Sequence, residues 1–408
     1  MSLTTRILIA LAAGLGLGAV LAHGELAPEW LVAGAQLVGT LWLNALRMTI
    51  VPLVFALLVT AAVSAAATAA AGGVAARALA TFVVLLTAGG VFAAAATHAM
   101  LEMSPIAPQS AAAIRAGLGI GTAAMPEVPP LVEWLEGLIP ANPLRAAVDD
   151  AMVPLVLFAL LFGFAAARLS GESRGHFVGF FQALGEVMLT LVRWVLLAGP
   201  VGVFALSLVL GLRMGLGAAG ALVHYVLVIS AVCILLTLAI YLIVPLFGIR
   251  LRSFAHAAGA AQLVGFSTQS SLAALPAMVD GARRHLGVPD NVTGLVLPLA
   301  VTMFRYTSPA ANIAVAMYLA SFYGIEPGLP QIIVTVLVAT VVSFGAVSLP
   351  GQVSFLTSCM PICMALGVPV EALPLLLAVE AIPDIFRTVG NVTGDVAVTA
   401  YVGKGRAG

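Results

Sequence analysis

The sequence predicts an all-α polytopic membrane protein with eight transmembrane helices and two re-entrant helical hairpins of opposite orientation. Three observations carry this. Of 408 residues, 62% are hydrophobic and 8% are Asp, Glu, Lys or Arg, against about 45–50% and 25% in soluble domains. The few charges bound uncharged stretches that match the roughly 17–25 residues of a membrane span. Two such stretches carry markers of the same membrane side at both ends.

The same numbers exclude several classes. A mean hydropathy of +1.14 is not that of an ordinary cytosolic enzyme. There are 17 basic and 17 acidic residues, and Lys404 is the single lysine. No basic face is left to hold nucleic acid. Cys233, Cys359 and Cys363 sit in apolar surroundings without disulfide or zinc spacing. They read as small hydrophobes.

Residues 7–24 form the first uncharged stretch. A signal peptide is the competing reading, but "AAGLGLGAVLAHG" continues as helix, and the segment is taken as the first span. Short loops rich in arginine stay on the cytoplasmic side. Arg6, Arg77, Arg168 with Arg174, Arg250 with Arg252, Arg283 with Arg284, and Lys404 with Arg406 therefore mark the inside. Glu102, Glu127, Glu133 and Glu136, and later Glu326 and Glu371, mark the outside. Alternation gives spans at 5–24, 32–68, 76–101, 143–167, 177–212 and 216–248, with the Pro- and Gly-rich residues 103–142 as a long outer loop.

The last third departs from simple alternation. Between Arg252 and Arg283, both inside, an apolar stretch is interrupted by Ser267-Thr268-Gln269-Ser270-Ser271. Between Glu326 and Glu371, both outside, another is interrupted by "SFGAVSLPG" at residues 343–351. Each should enter the membrane and turn back, from opposite faces. Non-helical backbone at that depth is tolerated only where protein or a cavity satisfies it. Paired broken helices of this kind point to a transport site near the midplane; two hairpins that merely pack are the plainer alternative.

The final helix carries the densest chemistry. Glu380, Asp384, Arg387, Asn391 and Asp395 are spaced 4, 3, 4 and 4, which places them within roughly 80° of one helix face. Their combined rise is about 22 Å. Charges at that depth cost a few kcal/mol or more each, so they need partners, a cavity or a ligand. Asp384 and Arg387 at i, i+3 can neutralise each other, yet Glu380 and Asp395 remain surplus. Arg305 is a further buried cation, 15 residues beyond Asp290 and 21 before Glu326. It is too far from either end to snorkel. Its neighbours Tyr306, Thr307, Ser308, Pro309 and Asn312 are polar or helix-breaking.

These segments resemble a known family. "RMTIVPLVFALLV", "GFSTQSSLAALPAM", "LGVPDNVTGLVLPL", "SLPG" and above all "RTVGNVTGD" look like the glutamate transporter family, the dicarboxylate/amino acid:cation symporters. The match runs over essentially the whole chain. It implies an elevator-type transporter assembled as a homotrimer in the lipid bilayer. Residues 1–75 (spans 1 and 2) and 103–215 (the outer loop with spans 4 and 5) would form a fixed scaffold. Residues 76–102 (span 3) and 216–408 (span 6, hairpin 253–282, span 7, hairpin 327–367 and span 8) would form the moving transport domain. The setting would be the cytoplasmic membrane, with both termini inside.

The resemblance also implies roles. Arg387 would take the side-chain carboxylate of an acidic amino acid, Asp384 its ammonium, and Asn391 with Ser271 its α-carboxylate. Gln269 and Ser270 accompany Ser271 at the first hairpin tip, Ser308 helps hold the side chain, Thr388 lines the pocket, and Leu349 contributes backbone in the second hairpin. Having both Asp384 and Arg387, the chain would favour aspartate or glutamate over C4-dicarboxylates.

The cation machinery departs from the family pattern. Where the family reads Asn-Met-Asp-Gly-Thr, this chain has Phe304-Arg305-Tyr306-Thr307-Ser308, and of a paired Thr-Ser only Thr87 keeps its hydroxyl. No cofactor is implied; sodium or a proton would be the coupling ion. We expect sodium coupling to be weakened or lost, with Arg305 as a tethered cation beside Asp395 or the substrate and Glu380 as proton carrier. His98 and His224 are alternative proton groups. A residual sodium site at Asp395 and Asn391 is the competing reading. An anion channel and a non-transporting sensor are further alternatives. An enzyme is not expected, since no nucleophile–base pair is evident.

Overall fold

The computed structural model describes residues 3–23, 28–70, 72–106, 136–149, 151–214, 217–345 and 351–404, and all regular structure among them is helical. The first half contains α1 (Leu3–His23), α2 (Glu29–Ala70), α3 (Gly73–Met103), α4 (Pro143–Val148), α5 (Met152–Ala166), α6 (Gly171–Leu197), α7 (Gly199–Met214) and α8 (Gly217–Ile243). The second half contains α9 (Leu251–Thr268), α10 (Ser271–Leu286), α11 (Asp290–Leu299), α12 (Thr307–Tyr323), α13 (Leu329–Gly345), α14 (Gly351–Leu366), α15 (Leu373–Val379) and α16 (Ala381–Lys404). Among the described residues, five helical stretches are long and apolar enough to cross a membrane: Thr5–Ala22, Glu29–Ala70, Gly73–Met103, Gly171–Leu197 and Gly220–Phe247.

Two expected spans are subdivided. The stretch 143–167 splits into α4 and α5, and 177–212 breaks at Ala198 into α6 and α7. Pro200 accounts for the second break, because its ring displaces the carbonyl one turn earlier and it has no N–H to donate. Most of the expected outer loop, 107–135, lies outside the described residues.

The helices pack as two groups. One joins α1 to α7 and α2 to α5, α6 and α7. The α1–α7 crossing is close, because a Cβ on Gly18 would come within 2.5 Å of the Leu208 carbonyl oxygen and one on Gly211 within 2.5 Å of that of Leu15. Small residues let helix backbones approach in this way in membranes. The other group gathers α3, α8, α13, α14 and α16 against α12, with α9 packed on α10 and α16. Residues of α12 are buried on every face apart from Ser321, which marks it as the centre of that group. The groups meet where α2 packs on α13 and α14, and where α15 touches α1 and α7.

In the second group, α9 and α10 lie side by side, as do α13 and α14. Gln269, at φ 52°, turns the chain between α9 and α10, and Ser270 caps α10 by accepting a hydrogen bond from the Ala273 N–H. All three cysteines are buried and free.

Candidate functional site

The site begins at a break in the middle of the bundle. Helix α11 carries Pro298, loosens into a π turn over Ala300–Phe304, and stops at Arg305, whose φ of 42° is left-handed. Helix α12 then starts with N–H groups that need acceptors. Asn391 of α16 supplies one: its Oδ1 accepts from the backbone N–H of Thr307 at 2.9 Å and of Ser308 at 3.1 Å. Its Nδ2 donates to Ser308 Oγ at 2.8 Å. The expected substrate groups Asn391 and Ser308 are thus joined, and Asn391 is already engaged as a helix cap.

A second break precedes α16. Pro383 lacks an N–H, so the carbonyl of Val379 loses its helical donor, and Glu380 sits between α15 and α16 rather than inside the last helix. Its carboxylate turns to Arg387 of α16, with Oε1 and Nη2 2.5 Å apart, and Oε2 accepts from the Tyr225 hydroxyl at 2.5 Å. Both members of the ion pair are 3% exposed. Arg387 also lies over the Phe355 ring, 5.8 Å from its centroid. Arg387 thus pairs with Glu380, held from α8 by Tyr225, and not with Asp384 as the i, i+3 alternative would have it. Nothing in the sequence singles out Tyr225 as its partner.

Arg305 has a different partner from those expected. Its Nη1 donates to Ser354 Oγ of α14 at 2.9 Å, and among the described residues it forms no ion pair with Asp384 or Asp395. Beside it, Ser308, Asn312, Ser343 and Ser358 help line a cavity of about 10 Å³, about one water. Asp395 is 0% exposed, and neither carboxylate oxygen has a hydrogen-bond partner among the described residues. A buried carboxylate in that condition calls for a cation or a proton.

Phe304 and Tyr306, which stand where the resemblance implies cation ligands, are packed in an aromatic core. Phe304 stacks on Phe82 of α3 at 4.8 Å and lies 5.8 Å from the Tyr306 ring. Tyr306 fills the gap between α3 and α16, because a Cβ on Gly89 or Gly394 would meet it at 2.9 or 2.7 Å. Thr87 contacts Thr340 of α13, with the hydroxyl oxygens 3.5 Å apart. Carbon therefore occupies space for which the resemblance implies oxygen ligands.

Other expected residues are placed as follows. Thr388 is buried in α16, and its side chain lies against Gly265 of α9. Gln269 donates to the Ala381 carbonyl at 3.2 Å, bringing the first hairpin tip to the start of α16. Ser271 opens α10. Leu349 lies outside the described residues. Gln262 of α9 was not anticipated: it donates to Thr393 of α16 at 2.7 Å and accepts from Tyr241 of α8 at 3.2 Å, tying three helices together.

The similarity to known proteins runs over nearly the whole chain. A profile described as the sodium:dicarboxylate symporter family matches residues 3–405. The proton/glutamate-aspartate symporter of Escherichia coli (strain K12) is 25% identical over 410 residues, covering 99% of this chain and 92% of the relative. The proton/sodium-glutamate symport protein of Bacillus subtilis (strain 168) is 26% identical, over 98% of this chain and 92% of the relative. A C4-dicarboxylate transport protein from the same organism is 24% identical, over 99% and 93%.

Proposed function

The chain belongs to the sodium:dicarboxylate symporter family, and from that membership we propose that it is a secondary active transporter of the acidic amino acids aspartate and glutamate. The carrying observation is the buried ion pair of Glu380 with Arg387, which shares α16 with Asp384 three residues earlier. A substrate carboxylate recruits Arg387 only by replacing Glu380. Removing one partner from a buried ion pair leaves an uncompensated charge, at a cost of about 3–5 kcal/mol. Proton transfer to Glu380 removes that cost, and the protonated acid remains next to Tyr225. Substrate and proton thereby load together. Asp384 receives the ammonium. Asn391, Ser308 and Ser271 serve the α-carboxylate and side chain, and Arg305 completes the positive end of the site as a tethered cation.

The two packed helix groups support an elevator reading, in which α3 and α8–α16 move against α1, α2 and α5–α7. Exposed apolar side chains such as Leu37, Leu41, Trp194 and Leu197 suit contact with lipid or with neighbouring copies in a trimer. The relatives' names include proton and proton/sodium symport of glutamate, which accords with proton coupling.

Asp395 favours a second reading. Its two unpartnered, fully buried oxygens suit a residual sodium ion, although Asn391 has committed its side-chain oxygen to α12. Uptake of labelled aspartate into proteoliposomes under a proton gradient, a sodium gradient or neither separates the two. The first reading expects uptake with the proton gradient alone, and a Glu380→Gln protein that no longer responds to that gradient but still exchanges aspartate. Uptake that requires sodium would overturn it in favour of Asp395.

A further inference from the structure

A second cavity, of about 400 Å³, lies at the end of the bundle where the basic residues gather. It falls within the size range of about 300–1,000 Å³ typical of small-molecule pockets. Its wall is one face of α3, with Arg77, Thr81, Val84 and Leu85, closed by the end of α8 and by α16 through Phe247 and Tyr401. The α3 residues recur at i, i+4, i+7 and i+8, so they form one continuous stripe. The lining is apolar apart from Thr81, whose hydroxyl donates to the Arg77 carbonyl, and Arg77 itself, which is exposed and stands over the Tyr401 ring, 5.4 Å from the centroid.

That cation has no salt bridge among the described residues. The Tyr401 face holds the guanidinium in place without consuming its N–H donors. Tyr401 in turn packs on Phe247 at 4.8 Å. Lys404, one turn further along α16, donates to the carbonyls of Phe247 and Gly248 and adds positive charge to the same rim. The positive-inside rule places this rim at the cytoplasmic leaflet.

We propose that this cleft is a binding site for an anionic phospholipid of the cytoplasmic leaflet, with an acyl chain between α3, α8 and α16 and the phosphate on Arg77. The chemistry of the two ends selects the ligand. The apolar depth excludes a free anion, which would lose its water there. A zwitterionic lipid offers the chain but brings its own cation beside Arg77. Basic pockets between helices at this leaflet recognise anionic headgroups, and each basic residue near the surface contributes about fivefold in affinity. The site is distinct from the Glu380–Arg387 centre, and its occupancy is measurable without transport.

Native mass spectrometry of the full chain in a neutral maltoside detergent provides the test, with phosphatidylglycerol and phosphatidylcholine of identical acyl chains as probes. The wild-type protein should retain phosphatidylglycerol about fivefold better. Arg77→Gln should remove most of the preference, leaving at most what Lys404 supplies, whereas Arg77→Lys should keep most of it. Ala80→Trp, which projects into the cleft from α3, should lower retention of both lipids. Equal retention of the two lipids by the wild type, or a preference untouched by Arg77→Gln, overturns the proposal. So does undiminished retention in a folded Ala80→Trp protein.

Discussion

Glu380 and Arg387 are each 3% exposed, and their apposed oxygen and nitrogen lie 2.5 Å apart. At this depth the two residues depend on each other more than on the rest of the fold. Arg387→Gln should therefore destabilise the protein by about 3–5 kcal/mol, because it leaves the Glu380 carboxylate buried and unpaired. The double change Glu380→Gln with Arg387→Gln should recover most of the loss, since two neutral amides need no counter-charge. Thermal denaturation of the purified proteins measures both, and a double variant no more stable than Arg387→Gln alone would refute the coupling. Residue chemistry at this level was half legible in the sequence. The spacing of Glu380, Asp384, Arg387, Asn391 and Asp395 announced a polar face, because only function or pairing retains five such groups at membrane depth. The pairing itself was not legible. It depends on the break at Pro383, which takes Glu380 out of the regular helix, and on Tyr225 of α8, whose contact with Glu380 bridges 155 residues of sequence.

The broken helix formed by α11, the π turn and α12 sets the character of the cation region. Its interruption at Arg305 was foreshadowed by the polar and proline-containing run after Phe304, since such residues do not continue a helix in an apolar setting unless something satisfies the freed backbone. What satisfies it here is Asn391, whose contribution as a cap is worth about 0.5–2 kcal/mol. The resemblance also implied that oxygen ligands are replaced here, but not what fills their space. Phe82, Phe304 and Tyr306 fill it as a stacked group against Gly89 and Gly394. Aromatic pairs of this kind add about 0.5–1.5 kcal/mol each beyond their area burial, so the residues that stand where the resemblance implies ligands stabilise the element. Replacing them should have two opposed effects. Phe304→Asn combined with Tyr306→Asp should lower thermal stability in sodium-free buffer and, on the proton-coupled reading, create a response to sodium greater than that of the native protein. Melting curves with and without sodium chloride, with potassium chloride matching ionic strength, read both effects. If the variant responds to sodium no more than the native chain does, the aromatic group is not what excludes the ion.

Across the whole molecule, the two helix groups meet at an ion pair whose position along α2 is informative. Arg47 of α2 pairs with Glu371, in the connection between α14 and α15. Helix α2 has 42 residues, which span about 63 Å, twice the roughly 30 Å of a bilayer core. Arg47 is 18 residues from Glu29 at the start of that helix, or about 27 Å, whereas the charge pattern assigns Glu371 to the outer surface. An outer-surface residue of one group thus rests against the middle of the longest helix of the other. On the elevator reading, the moving group is displaced inward in this arrangement, and the pair has to part when it travels back. Sequence alone gave the sidedness of Glu371 but not this level, because the relative height of two rigid groups is fixed by contacts rather than by the composition of either. Partly exposed ion pairs contribute about 0.2–1 kcal/mol, so Arg47→Gln should leave overall stability nearly unchanged while moving the balance between arrangements by up to about fivefold. Labels on Val38→Cys of α2 and Leu329→Cys of α13, both exposed positions, report that balance as a distance distribution in single molecules. The Arg47→Gln protein should spend less time in the present arrangement, and exchanging the two charges, Arg47→Glu with Glu371→Arg, should restore it. A distribution with one distance, unaltered by Arg47→Gln, would mean that the two groups form a single rigid body and that substrate crosses by another route.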